Sequence, residues 1–151
     1  MRWWMIKNYN RVSQHKWYAK EYRNTFYAVH DDRTAGGRKL LFLHLFVLRL
    51  TDPRIKSDHK NHDGLDCRRY NLRKSTNQQN GRNSIIRKGC SSRYKGVAWG
   101  RNKWMAYIQY QGKLKHLGVF VDEKLAALAY DAAARKYFGK FAFCNFVPEV
   151  K

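Results

Sequence analysis

The sequence predicts an α+β fold made of two small units. The first is a strand–loop–strand–helix arrangement behind a hairpin, and the second is a three-stranded antiparallel sheet packed on one α-helix. Three observations carry that expectation. Runs such as "KWYAKEYRNTFYAVHDD" and "KWMAYIQY" alternate bulky apolar with polar residues, the period of a half-buried strand. The segment "DEKLAALAYDAAARKYFGK" has acidic residues in its first turn, basic ones in its last and Gly139 just past its end, the order that complements a helix dipole. Between them, "NGRNSIIRKGCSSRYKG" sets Gly81, Gly89, Ser91 and Ser92 among basic residues without sustained periodicity, as a short linker does.

Each element follows in chain order. "KWYAKEYRNTFYAVHDD" is expected to form a hairpin with Arg23 and Asn24 near its turn. "GGRKLLFLHLFVL" follows a glycine turn and suits either a buried strand or a short helix; its periodicity does not decide. "IKSDH" reads as a short strand, "NHDG" as a tight turn and "NLRKST" as the partner strand. "STNQQNGRN" then opens a helix with two capping residues, Ser75 and Thr76.

Past the linker, "YKGVAW", "KWMAYIQY" and "KLKHLGVF" are three strand-like runs, with turns at Gly100–Asn102 and Gln111–Gly112. Alternation in the middle run puts Ala106, Ile108 and Tyr110 on one face and Met105, Tyr107 and Gln109 on the other. The first set matches a helix whose alanines at 126, 127, 129, 132, 133 and 134 permit close approach, so the second set faces outward. Tyr94, Leu117, Phe120, Tyr130 and Phe138 are assigned to the core. The expected boundaries are 1–88 for the first domain (strand–strand–helix core about 54–83), 89–92 for the linker and 93–147 for the second domain. Each domain lies near the lower size limit for independent folding.

Charge narrows the partner. The formal net charge is +20, with 20 Lys and Arg against 7 Asp and Glu in residues 1–90, and 11 against 4 in residues 91–151. Such an excess repels itself in the compact state, and a polyanion spanned by both halves relieves it. No segment joins a long apolar face to a basic one, and "KLLFLHLFVLRL" is too short to span a bilayer, so no membrane partner is expected. Cys67, Cys90 and Cys144 are odd in number and far apart; they read as free thiols, and no structural zinc is expected. The amino terminus lacks the pattern of a signal peptide, so a cytoplasmic protein is expected.

"SDHKNHDGLDCRRYNL" at 57–72 raises a chemical possibility. Phosphodiester hydrolysis needs an activated water and charge compensation at the phosphate. A neutral imidazole can take the water's proton, and a hard divalent cation held by carboxylate and amide oxygens can do the rest. "DH" at 58–59, "LDCRRYNLR" at 65–73 and "NQQNGRN" at 77–83 resemble the HNH endonucleases, in the variant whose last His is Asn. That resemblance implies a ββα-metal (His-Me finger) fold, with His59 as general base and Asn71 orienting the histidine and its loop. It also implies one divalent cation, Mg²⁺ or Mn²⁺, on Asp58 and Asn80, products with a 5′-phosphate and a 3′-hydroxyl, and a bacterial or phage-infected cell as the setting. Phage-type members commonly carry His-Arg where this chain has His44-Leu45.

"YKGV", "KWMAYI", "HLGVF", "AALAYDAAARKYFG" and "NF" fall, in that order, within a segment that resembles the plant Apetala-2/ethylene-response-factor domain. In that family the sheet enters the DNA major groove and the helix packs behind it. The resemblance implies DNA contacts from Lys95, Trp99, Arg101, Lys103, Tyr107, Gln109, Lys115 and His116. Here Ala98, Tyr107 and His116 stand where plant members use arginines and tryptophans.

Two functions compete on these grounds. The leading expectation is a metal-dependent endonuclease of homing or phage type that acts on double-stranded DNA without a small-molecule cofactor and nicks as a monomer. The alternative is a non-catalytic, sequence-specific DNA-binding protein. An RNA-binding protein is a third reading that charge alone permits.

Overall fold

The computed structural model describes residues 9–22, 25–34, 37–86 and 89–146. The chain divides into two compact units, residues 1–80 and 81–151. After a helical turn at residues 9–12, the first unit continues with β1 (Tyr18–Tyr22), β2 (Thr25–Asp32) and β3 (Lys39–Phe42), an antiparallel sheet in that order. The expected hairpin is thus β1–β2, with Tyr18 opposite Val29; the turn assigned to Arg23 and Asn24 lies outside the described residues. The ambiguous apolar run does both things in succession: β3 ends at Phe42, and α1 (Leu43–Leu48) begins at once. The helix stops where Arg49 turns left-handed (φ 52°) and its N–H, with that of Leu50, closes on the carbonyls of Phe46 and Leu45.

β4 (Lys56–His59) and β5 (Leu72–Ser75) form a two-stranded antiparallel ribbon, with Asp58 opposite Arg73 and His59 opposite Leu72. The short helix α2 (Asn77–Arg82) starts from a reciprocal cap: the Gln79 N–H donates to Oγ1 of Thr76 (3.2 Å), and the Thr76 N–H donates to Oε1 of Gln79 (2.8 Å). Thr76 is therefore the capping residue, while the Ser75 hydroxyl is turned to the carbonyl of Lys56. The arrangement is mixed α and β, and it does not by itself establish a ββα-metal nuclease.

The second unit holds β6 (Val97–Gly100), β7 (Lys103–Tyr110) and β8 (Lys113–Phe120), antiparallel in sequence order, followed by α3 (Glu123–Phe138) and a 3-10 turn at Gly139–Phe141. Both hairpin loops are two residues long with positive φ throughout, Arg101–Asn102 and Gln111–Gly112, the backbone that matches the twist of the strands. Asp122 caps α3 by accepting from the Leu125 N–H (3.0 Å).

α3 lies on the sheet through Ala126, Ala127, Tyr130 and Ala134, which meet Val97, Ala106 and Ile108. Tyr94, Leu117, Phe120 and Phe138 join these two clusters, as the sequence suggested. Asp131, fully buried in α3, accepts from the Asn145 and Phe146 N–H groups (2.8 and 2.9 Å) and so ties the following segment to the helix.

The division between units falls earlier than the linker expected at 89–92. The Lys95 ammonium donates to the carbonyls of Arg82 (2.8 Å) and Ser84 (2.5 Å), which attaches that segment to the second unit.

Candidate nucleic-acid interface

With α3 covering one face of the sheet, the other carries a distinct set of side chains. Pairing keeps opposed residues on one face. Ala98, Met105 and Val119 therefore lie side by side, as do Tyr107 with His116 and Gln109 with Leu114. Lys103, Gln109 and His116 are exposed and Tyr107 is half-buried, its ring 5.1 Å from His116 and its hydroxyl 3.1 Å from Sδ of Met105. Gly100, Arg101, Lys103, Met105, Tyr107, His116 and Val119 line a shallow concavity of about 550 Å³. The face thus offers cations from the β6–β7 turn, an amide and an imidazole as hydrogen-bonding groups, and apolar contact area. Those are the chemistries that phosphates, base edges and thymine methyls accept.

His116 faces outward by regular alternation from the hairpin, opposite Tyr107, and a bulge follows it. Ala106 pairs with Gly118 while Tyr107 pairs with His116, so Leu117 is the extra residue and turns to the helix side. Gly118 takes φ 145°, and Phe120 returns to the core opposite Trp104. Met105 and Val119 belong to this face although the sequence did not count them among contacts; alternation places Met105 there, but nothing local signals Val119.

Three expected contacts sit elsewhere. Lys115 pairs with Ile108 on the helix side, its ammonium 5.6 Å from the ring centre of Tyr110 and 5.1 Å from that of Tyr137. Trp99 pairs with Trp104, their rings meeting edge-on at 4.8 Å. Lys95 is turned inward to the carbonyls described above, and burial pushes its ammonium down to about 8.

In the first unit, Asp58 and His59 are both buried at the end of β4. Oδ2 of Asp58 accepts from Nε of Arg73 (2.6 Å) and lies 2.5 Å from its Nη2. Burial lowers the His59 imidazole, against the opposing pull of Asp58, Asp63 and Asp66. Asn71 staples the loop: Nδ2 donates to Oδ1 of Asn61 and to the Asp66 carbonyl (both 2.8 Å), while Oδ1 accepts from the Asn61 N–H (3.1 Å). Asn80 is an exposed residue of α2. The Asp58 carboxylate thus has a partly buried guanidinium as its partner, and the Asn80 amide is open to water.

No family model matches the chain. Curated relatives do. An AP2-like ethylene-responsive transcription factor of Arabidopsis thaliana is 33% identical over 72 residues, covering 44% of this chain and 21% of the relative. An AP2/ERF and B3 domain-containing protein of Oryza sativa subsp. japonica is 49% identical over 57 residues, 37% of this chain and 16% of the relative. Dehydration-responsive element-binding protein 2D of Arabidopsis thaliana is 44% identical over 78 residues, 42% of this chain and 36% of the relative.

The chain spans about a fifth of the length of the first two curated relatives. These names correct the expectation of an HNH endonuclease: the similar proteins are called transcription factors or binding proteins, which points to a non-enzymatic reading. They are plant proteins, so a bacterial or phage setting is not supported either. Among the described residues no helix is long and apolar enough to cross a membrane. Over less than half of its length, this chain is similar to proteins named for the AP2/ERF domain.

Proposed function

We propose that this chain is a non-enzymatic, sequence-specific binder of double-stranded DNA, and that it reads the major groove with the outer face of β6–β8. The observation that carries the reading is the sheet face left uncovered by α3, where Arg101, Lys103, Tyr107, Gln109 and His116 are collected. Three strands about 4.8 Å apart span roughly 10 Å, which suits a groove about 12 Å wide. Arg101 and Lys103 hold phosphate, Gln109 and His116 meet base edges, and Met105 and Val119 supply apolar contact. The net charge of +20 supplies the sequence-independent attraction.

The test starts by selecting bound sites from random duplexes with the full chain, then measures affinity by fluorescence anisotropy. Gln109→Ala should cost about 1–3 kcal/mol on the selected site and relax preference at one position. Lys103→Ala should weaken all duplexes alike and lower the salt slope by about one. Lys115→Ala, on the helix side, should leave base preference unchanged. Selection that returns no consensus, or equal effects of Lys115→Ala and Gln109→Ala on base preference, would sink the reading.

A further inference from the structure

We propose that His44, His59 and Cys67 of the first unit form a binding site for a borderline-soft divalent cation of the zinc type. Their ligand atoms all lie within 4.8 Å of one another, although they come from α1, the end of β4 and the loop that follows it. Both histidines are buried and Cys67 is partly so. A second observation points to a ligand. Nδ1 of His44 is buried and, among the described residues, meets no hydrogen-bond partner. Folding does not normally leave such an atom unsatisfied, and a metal bond satisfies it without a proton.

The surroundings hold the three groups in place. The His44 and His59 rings meet edge-on at 5.1 Å, and the Tyr27 ring packs on both, at 5.0 and 5.9 Å. Gly64 is pressed against the Phe26 carbonyl, and a Cβ there would lie 2.8 Å from Cε1 of Tyr27; only glycine lets the loop bring Cys67 this close. A neutral imidazole offers an unprotonated ring nitrogen, the form that ligates metal.

Zinc bonds of about 2.0 Å to nitrogen and 2.3 Å to sulfur set tetrahedral donors roughly 3.3–3.6 Å apart, so the side chains close in by at most about 1.5 Å and water takes the fourth position. Two imidazoles and a thiolate favour zinc over magnesium or calcium. The sequence argued against zinc because it has no close-spaced cysteine pair; this site needs none, since its ligands come from separate elements. Metal entry expels the Cys67 proton: the S–H bond breaks, the S–metal bond forms, and one proton passes to solvent.

The experiment adds cobalt(II) to the full, chelator-stripped chain. Expected are a sulfur-to-cobalt charge-transfer band, four-coordinate d–d absorption that saturates at one equivalent, displacement by zinc, and release of one proton. Cys67→Ser should remove the charge-transfer band. His44→Gln should weaken binding by more than the about 10–100-fold typical of losing an outer-shell partner. Cys90→Ser and Cys144→Ser should change neither. Absence of a sulfur-to-cobalt band in the wild type overturns the proposal, as does a band that survives Cys67→Ser and follows Cys90 or Cys144. Should Cys67→Ser fail to fold, as judged by circular dichroism, the wild-type spectrum and its proton count still decide.

Discussion

Gly96 and Gly112 have the same backbone angle, φ 76°, but different neighbours. A Cβ on Gly112 meets nothing within 4 Å, whereas one on Gly96 overlaps the Tyr130 ring and lies 2.7 Å from its Cγ. Alanine at either site carries the left-handed penalty of about 1–2 kcal/mol. At Gly96 the ring must also move away from Ile108, Ala134 and Phe138, an overpacking cost of about 1–3 kcal/mol. Gly96→Ala should therefore destabilise the second unit by about 2–5 kcal/mol and Gly112→Ala by about 1–2 kcal/mol. The gain from a stiffer unfolded chain is common to both and cancels in the comparison.

The assay is native-state hydrogen exchange of the β7 amides in the full chain, including Tyr107, whose N–H donates to the Gly96 carbonyl at 2.7 Å. In a Tyr130→Leu background the Gly96→Ala cost should shrink, giving a coupling above about 0.5 kcal/mol. Equal costs for the two alanines, or no coupling to Tyr130, would refute the claim that ring packing demands glycine at 96.

Two further outcomes follow from buried charge. Arg73→Met leaves the Asp58 carboxylate buried without its guanidinium and should cost about 3–5 kcal/mol in urea unfolding, whereas Asp58→Asn combined with Arg73→Met should recover most of that; an additive double variant would contradict the pairing. Lys95 gives a pH dependence. Its folded value of about 8 lies below the ordinary lysine value, so between the two the unfolded chain holds more protons and stability rises with pH. Relative to Lys95→Met, the wild type should gain stability as pH rises from 8 to about 10.4, and a flat difference across that window would show that burial does not disfavour the ammonium.

The coarse plan of the second unit was legible because its signals are local. Two-residue turns, period-two alternation in "KWMAYIQY" and a capped, alanine-rich helix each depend on neighbours within a few positions, and together they place Tyr107 and Gln109 opposite Ala106 and Ile108. The expectation of an endonuclease drawn from the HNH-like motif is corrected by the names of the similar proteins, not by a local signal in the chain. Matched residue types at matched spacing do not reveal that Arg73 claims the Asp58 carboxylate from the facing strand.

By itself the sequence determined a basic chain of two small α+β units, with a sheet backed by one helix. Only the tertiary structure decided which way Lys95, Trp99 and Lys115 point, because direction depends on strand register and on packing against distant segments. The same holds for His44, His59 and Cys67: their convergence is a property of packed elements, and no local pattern in the chain encodes a distance between them.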